Sequence, residues 1–468
     1  MNLSAMDNDG NPVDWWFMYK VAGKSKTKSG KNIPGLTGAE YVYFDASEGS
    51  NAKLIKPQDL VNRNGALPDT LTQLYATPGA STEHLGWFFY NDEDPVSGKT
   101  NGTLGHTKGV LAFDFSSDTA FWLVQSTPKF PPKGKYDFPD SGMPNAQTLL
   151  CITLQNADVS RKLANQMFIG QQPNVYLSSP VPADLVKQSS DPRVQLIEGK
   201  TVEGNTPYSG SVPFNSRGGV KFTSIAKNRY WGLDFYNDLV GPTLHDDLDV
   251  ETWEHGTTPP SIDSDKVHTV VDMGGIDLNP LGYDIVWPET DDHAKLAISA
   301  RSEQTHFICV GDINFTLSMR KRSGGTVAFK CEPLWKSISS ILTDVTTHLK
   351  TGSRAADRRS RRQGHGGGLQ IRRAQPPAAA AQGARTGKCQ KAQGGSEETR
   401  QEEGEEKDRL TRDTSAPSCL PRQAGRMASG RARPLAGLRG VRRFRRSTGP
   451  ARPLRGPLLT PRIPSAAT

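Results

Sequence analysis

No run of about 20 apolar residues exists anywhere in the 468-residue sequence, so no membrane-spanning helix is expected. The five cysteines show no Cys-x-x-Cys spacing, which argues against a zinc site. The opening, MNLSAMDNDGNPVDWW, lacks the charged and apolar regions of a signal peptide. Two expectations stay open there: a cytoplasmic chain, or one whose export signal is missing from this version. The stretch from residue 351 onward lacks Trp and Tyr altogether and has Phe444 as its lone aromatic. Such a composition cannot bury a core, and a disordered Arg/Ala/Gly/Pro-rich tail over 351–468 is expected, with no chemistry of its own.

What is present divides unevenly. The formal charge of +8 hides a tail with 26 Lys and Arg against 9 Asp and Glu, a net +17. Residues 1–350 carry 31 against 40, a net −9. The part able to fold is therefore acidic, and the basic tail could hold DNA only through non-specific phosphate contacts. Length permits one large or two medium domains with a substantial core.

Along the body, VDWWFMYKVA, EYVYFDAS, LGWFFYND, GVLAFDF and TAFWLVQST are apolar runs separated by Gly, Asn, Asp and Ser, which predicts strands of a buried sheet. VSRKLANQMF and LTQLYATP suit helices. YDIVWP, HAKLAISA and THFICVGD again read as strands. In PLWKSISSILTDVTTHLK the residues Leu334, Ile338, Ile341, Leu342, Val345 and Leu349 recur at three and four, which predicts one amphipathic helix. The fold class expected is α/β.

A repeat links the halves. GHTKGVLAFDF followed by TAFWLVQSTP matches DHAKLAISA followed by THFICVGDIN. Aligning Phe121 with Phe307 sets Ser126 opposite Asp312, 20 residues after His106 and 19 after His293 respectively. Each unit reads as strand, turn, strand with a His-x-Lys on its first strand. In a strand, residues i and i+2 share a face, so His106 and Lys108, and likewise His293 and Lys295, would point together. Two cation-prone groups on one face demand an anion. Two such pairs would match a phosphodiester, one imidazole attacking phosphorus, the other protonating the leaving oxygen, and the lysines neutralising charge, with no metal or other cofactor required. A third pair, His348/Lys350, ends the amphipathic helix and reads as a cation pair favouring the helix dipole. The acidic run from His245 to Asp249 reads as a solvated turn rather than a magnesium site.

The segments VDWWFMYK, EYVYFDAS, FFYND, GHTKGVLAFD, FWLVQSTPKFPP, QTLLCITL, CVGDIN and SGGTVAFKCEPLW resemble, in order, segments of the deoxyribonuclease II family, over about residues 6–350. The resemblance implies endonucleolytic, metal-independent hydrolysis of double-stranded DNA in acid, leaving 3′-phosphate and 5′-hydroxyl ends. It implies a phospholipase D-like fold of two similar halves, 1–165 and 166–350, sharing one active site built from His106, Lys108, His293 and Lys295. His106 is the favoured nucleophile. Gly311-Asp312-Ile313-Asn314 is similar to the family element that follows the second pair, so Asn314, with Ser126 and Asp312, is expected at the substrate. The usual Asp five residues after Lys is missing: Phe113 stands there in the first half, beside Asp114, and Ala300 in the second. The resemblance further implies a disulfide between Cys309 and Cys331, worth roughly 3 kcal/mol in the loop-entropy model, with Cys151 a buried free thiol. Animal members are lysosomal or secreted. A homodimer is an open expectation. Competing classes are a phosphatidyl hydrolase using the same paired histidines and a non-catalytic DNA-binding protein. Plasmid and phospholipid substrates, offered separately with chelator present, distinguish them.

Overall fold

A computed structural model describes residues 2–344 except 48–59, 62–63, 76–82, 254–255, 260–266 and 302–304. The segment expected as a tail and the His348/Lys350 pair lie outside the described residues.

A short hairpin of β1 (Ala5–Met6) and β2 (Pro12–Val13) leads into β3 (Trp15–Lys20) and β4 (Tyr41–Asp45). There follow α1 (Ala66–Tyr75), β5 (Leu85–Asn91), β6 (Lys108–Asp114), β7 (Thr119–Gln125), β8 (Gln147–Leu154), α2 (Ala157–Gln166) and β9 (Val175–Ser178). These seven strands after the hairpin form one antiparallel sheet in the order β4-β3-β8-β7-β6-β5-β9. After α3 (Pro192–Ile197), the chain makes β10 (Ser209–Asn215), β11 (Lys221–Lys227), α4 (Gly241–Leu244), β12 (Leu248–Thr252), β13 (Val270–Asp277), β14 (Val286–Pro288), β15 (Lys295–Ser299), β16 (Phe307–Gly311), β17 (Gly324–Lys330), α5 (Glu332–Ile341) and β18 (Leu342–Asp344). The second sheet runs β10-β11-β17-β16-β15-β12-β13-β14, with β18 also on β13. Among the described residues, only its β12–β13 pairing is parallel. The fold is thus α/β with two large sheets and few helices.

The continuous apolar runs of the strands have a physical cause. Both faces of the central strands are covered, so alternation is not needed to tell inside from outside. In β6, Leu111 and Phe113 face a core shared by the two sheets, while Val110 and Ala112 face a second core on the outer side of the first sheet. The second sheet repeats this: Leu296 and Ile298 face the shared core, and Ala297 faces a third cluster with Tyr236 and Phe315. Trp15 meets Phe329 edge-on at 5.0 Å and Trp122 meets Phe214 at 6.0 Å, knitting the sheets together. Each fully buried side chain of this size contributes about 1.5–3 kcal/mol.

The repeated units fold alike. β6 and β7 form an antiparallel hairpin, as do β15 and β16. Two expectations fail in detail. The amphipathic helix stops at Ile341, where Leu342 turns extended (ψ 134°) and pairs with Ile276 across to β13. The Thr- and Asp-bearing sequence that follows Leu342 has weak helical propensity and gains more from that edge. The acidic run is not a solvated turn either. Its residues enter β12, with Asp246 accepting from the hydroxyls of Ser299 and Thr305, and Asp249 lying 3.5 Å from Arg301.

Candidate active site

Both lysines of the paired motifs are the first residues of their strands, and both histidines lie just before them. The expectation of His and Lys on one strand face is corrected accordingly: the histidines are set by loop contacts, not by the pleat. Gly105 shows why. Its N–H donates to the Gln172 carbonyl (2.7 Å), and a Cβ there would lie 1.9 Å from the Gln171 carbonyl oxygen, so only glycine lets the chain approach. Gln172, in the left-handed region at φ 50°, also accepts from the Ser323 hydroxyl at 2.8 Å. Loops from both halves are tied at this point.

The ties then cross. The His106 N–H donates to the Ser323 carbonyl and the His293 N–H to the Ala146 carbonyl, both at 2.9 Å. The Lys108 N–H faces Asp312 Oδ1, and the Lys295 N–H faces Thr148 Oγ1, both at 3.4 Å. Each histidine is therefore held by the residue just before a strand of the other sheet, Ser323 before β17 and Ala146 before β8.

The His106 ring is 15% exposed, and its Nδ1 lies 2.5 Å from the Asp312 carbonyl oxygen. A carbonyl can only accept, so Nδ1 carries the hydrogen and Nε2 keeps its lone pair in the neutral ring. Burial, and next the charge of Lys108, push this imidazole down to about 3, with Lys295 and Arg322 acting the same way and Asp92 opposing. Asp92 gathers the cations. Its Oδ1 binds Lys108 Nζ, its Oδ2 lies 3.2 Å from Arg322 Nη2, and the same oxygen lies 3.9 Å from His106 Nε2. Burial raises this carboxyl, but Lys108, His106 and Arg322 together hold it well below the usual range.

On the other side, the Trp253 ring lies 4.0 Å from that of His293, and Lys295 Nζ donates to the His293 carbonyl at 2.5 Å. Burial, then the charge of Lys108, push Lys295 down to about 7, against the pull of Asp292 and Asp92. Asp292 precedes His293. Its carboxylate accepts from the Tyr19 hydroxyl, from Trp287 Nε1 (2.8 Å) and from the Ala294 N–H (2.8 Å), which fixes the approach to the histidine.

Of the expected substrate contacts, Asn314 and Asp312 are each 5% exposed. The Asn314 Oδ1 has no protein partner, whereas burial pushes the Asp312 carboxyl up to about 8. Ser126 is fully engaged elsewhere: its hydroxyl donates to Gln147 Oε1 (2.7 Å) and accepts from the Thr148 N–H (3.0 Å). Sequence reasoning missed Asp92, Arg322, Asp292 and Trp253. Asp92 stood within the quoted FFYND segment without a role.

The expected disulfide is absent. Cys309 and Cys331 are free thiols, as is buried Cys151. Cys309 pairs with Ala328 across β16 and β17. Cys331 lies three residues beyond Ala328, past the end of β17 and at the N-cap of α5. Accordingly, Cys309 packs with the third cluster and Cys331 against the shared core. No bridge spans that geometry.

The sequence model of the family described as Deoxyribonuclease II matches residues 4–348. The chain belongs to the deoxyribonuclease II family. That membership makes it a hydrolase of the deoxyribonuclease II type. A Burkholderia pseudomallei (strain K96243) protein provisionally named a deoxyribonuclease-2 is 42% identical over 362 residues, covering 76% of this chain and 97% of its own. Deoxyribonuclease-2 of Caenorhabditis elegans is 31% identical over 365 residues, 73% of this chain and 93% of its own. Plancitoxin-1 of Acanthaster planci is 32% identical over 332 residues, 70% and 87% respectively.

Proposed function

We propose that the chain is a metal-independent acid endonuclease of double-stranded DNA, in which two phospholipase D-like halves share one active site. The observation that carries this reading is the fixed tautomer of His106. With Nδ1–H bound to the Asp312 carbonyl and the ring held neutral, Nε2 presents a lone pair 3.9 Å from the Asp92 carboxylate that also binds Lys108 and Arg322.

In the first step Nε2 of His106 attacks phosphorus and the P–O5′ bond breaks. The electron pair goes to O5′, which takes a proton from His293, giving a 5′-hydroxyl end and a phosphohistidine on the 3′ side. In the second step His293, now neutral, accepts a proton from water as the water oxygen attacks phosphorus. The P–N bond breaks, leaving a 3′-phosphate and restoring His106. Lys108, Lys295, Arg322 and the Asn314 amide serve the non-bridging oxygens, where charge develops.

Two shifts frame the acid dependence. His106 stays neutral down to about 3, and Lys295 gains its charge as pH falls through about 7. Nucleophile and cation therefore coexist between those values, and a bell-shaped profile within them is expected. Plasmid nicking at about pH 5 in excess chelator tests the reading. Fragments should accept a label at the 5′-hydroxyl directly and resist 3′ extension until dephosphorylated. A requirement for added divalent ion, or 5′-phosphate ends, would overturn it.

A further inference from the structure

Lys227, at the end of β11, is fully buried and spends its ammonium on three carbonyls of one turn: Met319 (2.8 Å), Arg320 (3.3 Å) and Arg322 (2.5 Å). Two residues on, the Arg229 N–H donates to the Ser323 hydroxyl (2.9 Å) and its guanidinium to the Thr103 carbonyl (3.0 Å), while its plane lies 5.3 Å over the Tyr230 ring. Ser323 is also the residue whose carbonyl holds the His106 N–H. Arg229, Arg320, Lys321 and Arg322 thus occupy one ledge, rigidly joined to the segment bearing His106. Lys321 is exposed, and Arg229, Tyr230 and Arg320 are partly so.

Four cations in so small an area stand out against a body that is net −9. Asp92 lies on Arg322 and Asp234 near Arg320, the second itself raised by burial. The Nε atoms of Arg320 and Arg322 are buried with no hydrogen-bond partner. A solvated basic turn needs no buried lysine beneath it. Burying Lys227 costs free energy, enough to push its ammonium down to about 8, and what it secures is the position of the turn.

The geometry points to this ledge as the surface that grips the phosphates of the DNA strand flanking the cleaved bond on the His106 side. Arg229 and Lys321 would contact consecutive backbone phosphates, and the Arg229–Tyr230 pair gives a flat platform against the sugar and base. The inference rests on the nuclease reading above and extends it from the scissile phosphate to the strand beyond.

The test is fluorescence anisotropy of a short labelled duplex against the full chain carrying His106→Ala, which prevents cutting, over a range of salt concentrations at about pH 5. Adding Arg229→Ala and Lys321→Ala should raise Kd at low salt by at least ten-fold. It should also flatten the plot of log Kd against log salt by about 0.9 for each phosphate no longer neutralised. Lys162→Ala, on α2, removes one exposed charge outside the ledge and should follow the parent. Arg229 also ties the ledge to Thr103, so Lys321→Glu alone is the second arm, and it should weaken binding without altering the melting temperature. Ledge variants that match the parent in both Kd and slope, while the unmodified chain still nicks plasmid, overturn the ledge alone. A His106→Ala chain that does not bind DNA, together with an unmodified chain that does not cut it, overturns the nuclease reading and the ledge with it.

Discussion

The two His-x-Lys pairs begin equivalent strands and exchange equivalent backbone bonds, yet their surroundings differ. Around His106 the charges are fixed by pairing: Lys108 and Arg322 sit on Asp92, and the Asp312 carbonyl sets the tautomer. Around His293 the neighbours are an aromatic ring and a lysine that leans on backbone, with its ammonium pushed down to about 7. The scaffold repeats while the electrostatics divide. One side holds its imidazole neutral down to about 3 and the other carries a lysine that changes charge near 7, which is the division the proposed mechanism uses.

The sharpest way to break this division is to remove each imidazole. His106→Ala and His293→Ala should each abolish nearly all plasmid nicking, and the double variant should be no worse than either, because the two act as one unit. Additive losses, or a folded single variant near the parent rate, would refute it. The control is His348→Ala, expected to be silent.

Next in size is Asp92→Asn, expected to lower kcat about a hundred-fold by releasing Lys108 and Arg322 from their common anchor. It carries a sign as well. Asp92 is the group that raises the His106 pKa, so without it that value moves lower still and the acidic limb of the pH profile should shift down. An upward shift would mean that another group sets that limb.

The alkaline limb belongs to the other side. Lys295 is charged below about 7 and neutral above, so charge stabilisation is lost as pH rises through that value. Lys295→Arg keeps its charge throughout. It should cost roughly ten-fold at the optimum through misfit, and its alkaline limb should move well above neutrality. A limb left near 7 would mean that a group other than Lys295 sets it.

Much of the candidate site is legible in the sequence, and the part that is not is of one kind. His106, Lys108, His293 and Lys295 can be found because a local spacing occurs twice in similar hairpins. Asp92 cannot be given a role from sequence. It meets Lys108 because Asn91 pairs with Lys108 across β5 and β6, and it meets Arg322 from 230 residues away. In the first half the carboxylate that binds the Lys108 ammonium is Asp92, just past the end of β5, which no motif spacing reports. Cys309 and Cys331 fail for the same reason: their separation fits a loop, but register decides which face each thiol takes. The helix read through Leu349 kept its apolar period past Ile341, yet a free edge on β13 captured Leu342.

The smallest expected effect concerns Trp253, whose ring lies against that of His293. If the second half-site works by holding an imidazole that must gain and lose a proton, the indole serves to orient the ring and to exclude water from one of its faces. A contact of this kind is worth roughly 0.5–1.5 kcal/mol, or about two- to ten-fold in rate. Trp253→Leu keeps the apolar cover and should lose only the ring geometry, so kcat should fall two- to three-fold with KM unchanged. Trp253→Ala opens the face to water and should approach ten-fold, with the His293 titration differing from that of the parent because the ring's surroundings change. Following the His293 ring protons by NMR across the acid range reads that titration directly. Equal kinetics and an unmoved titration in both variants would show that the indole is only packing, and that the second half-site owes its proton chemistry to Lys295 and Asp292 alone.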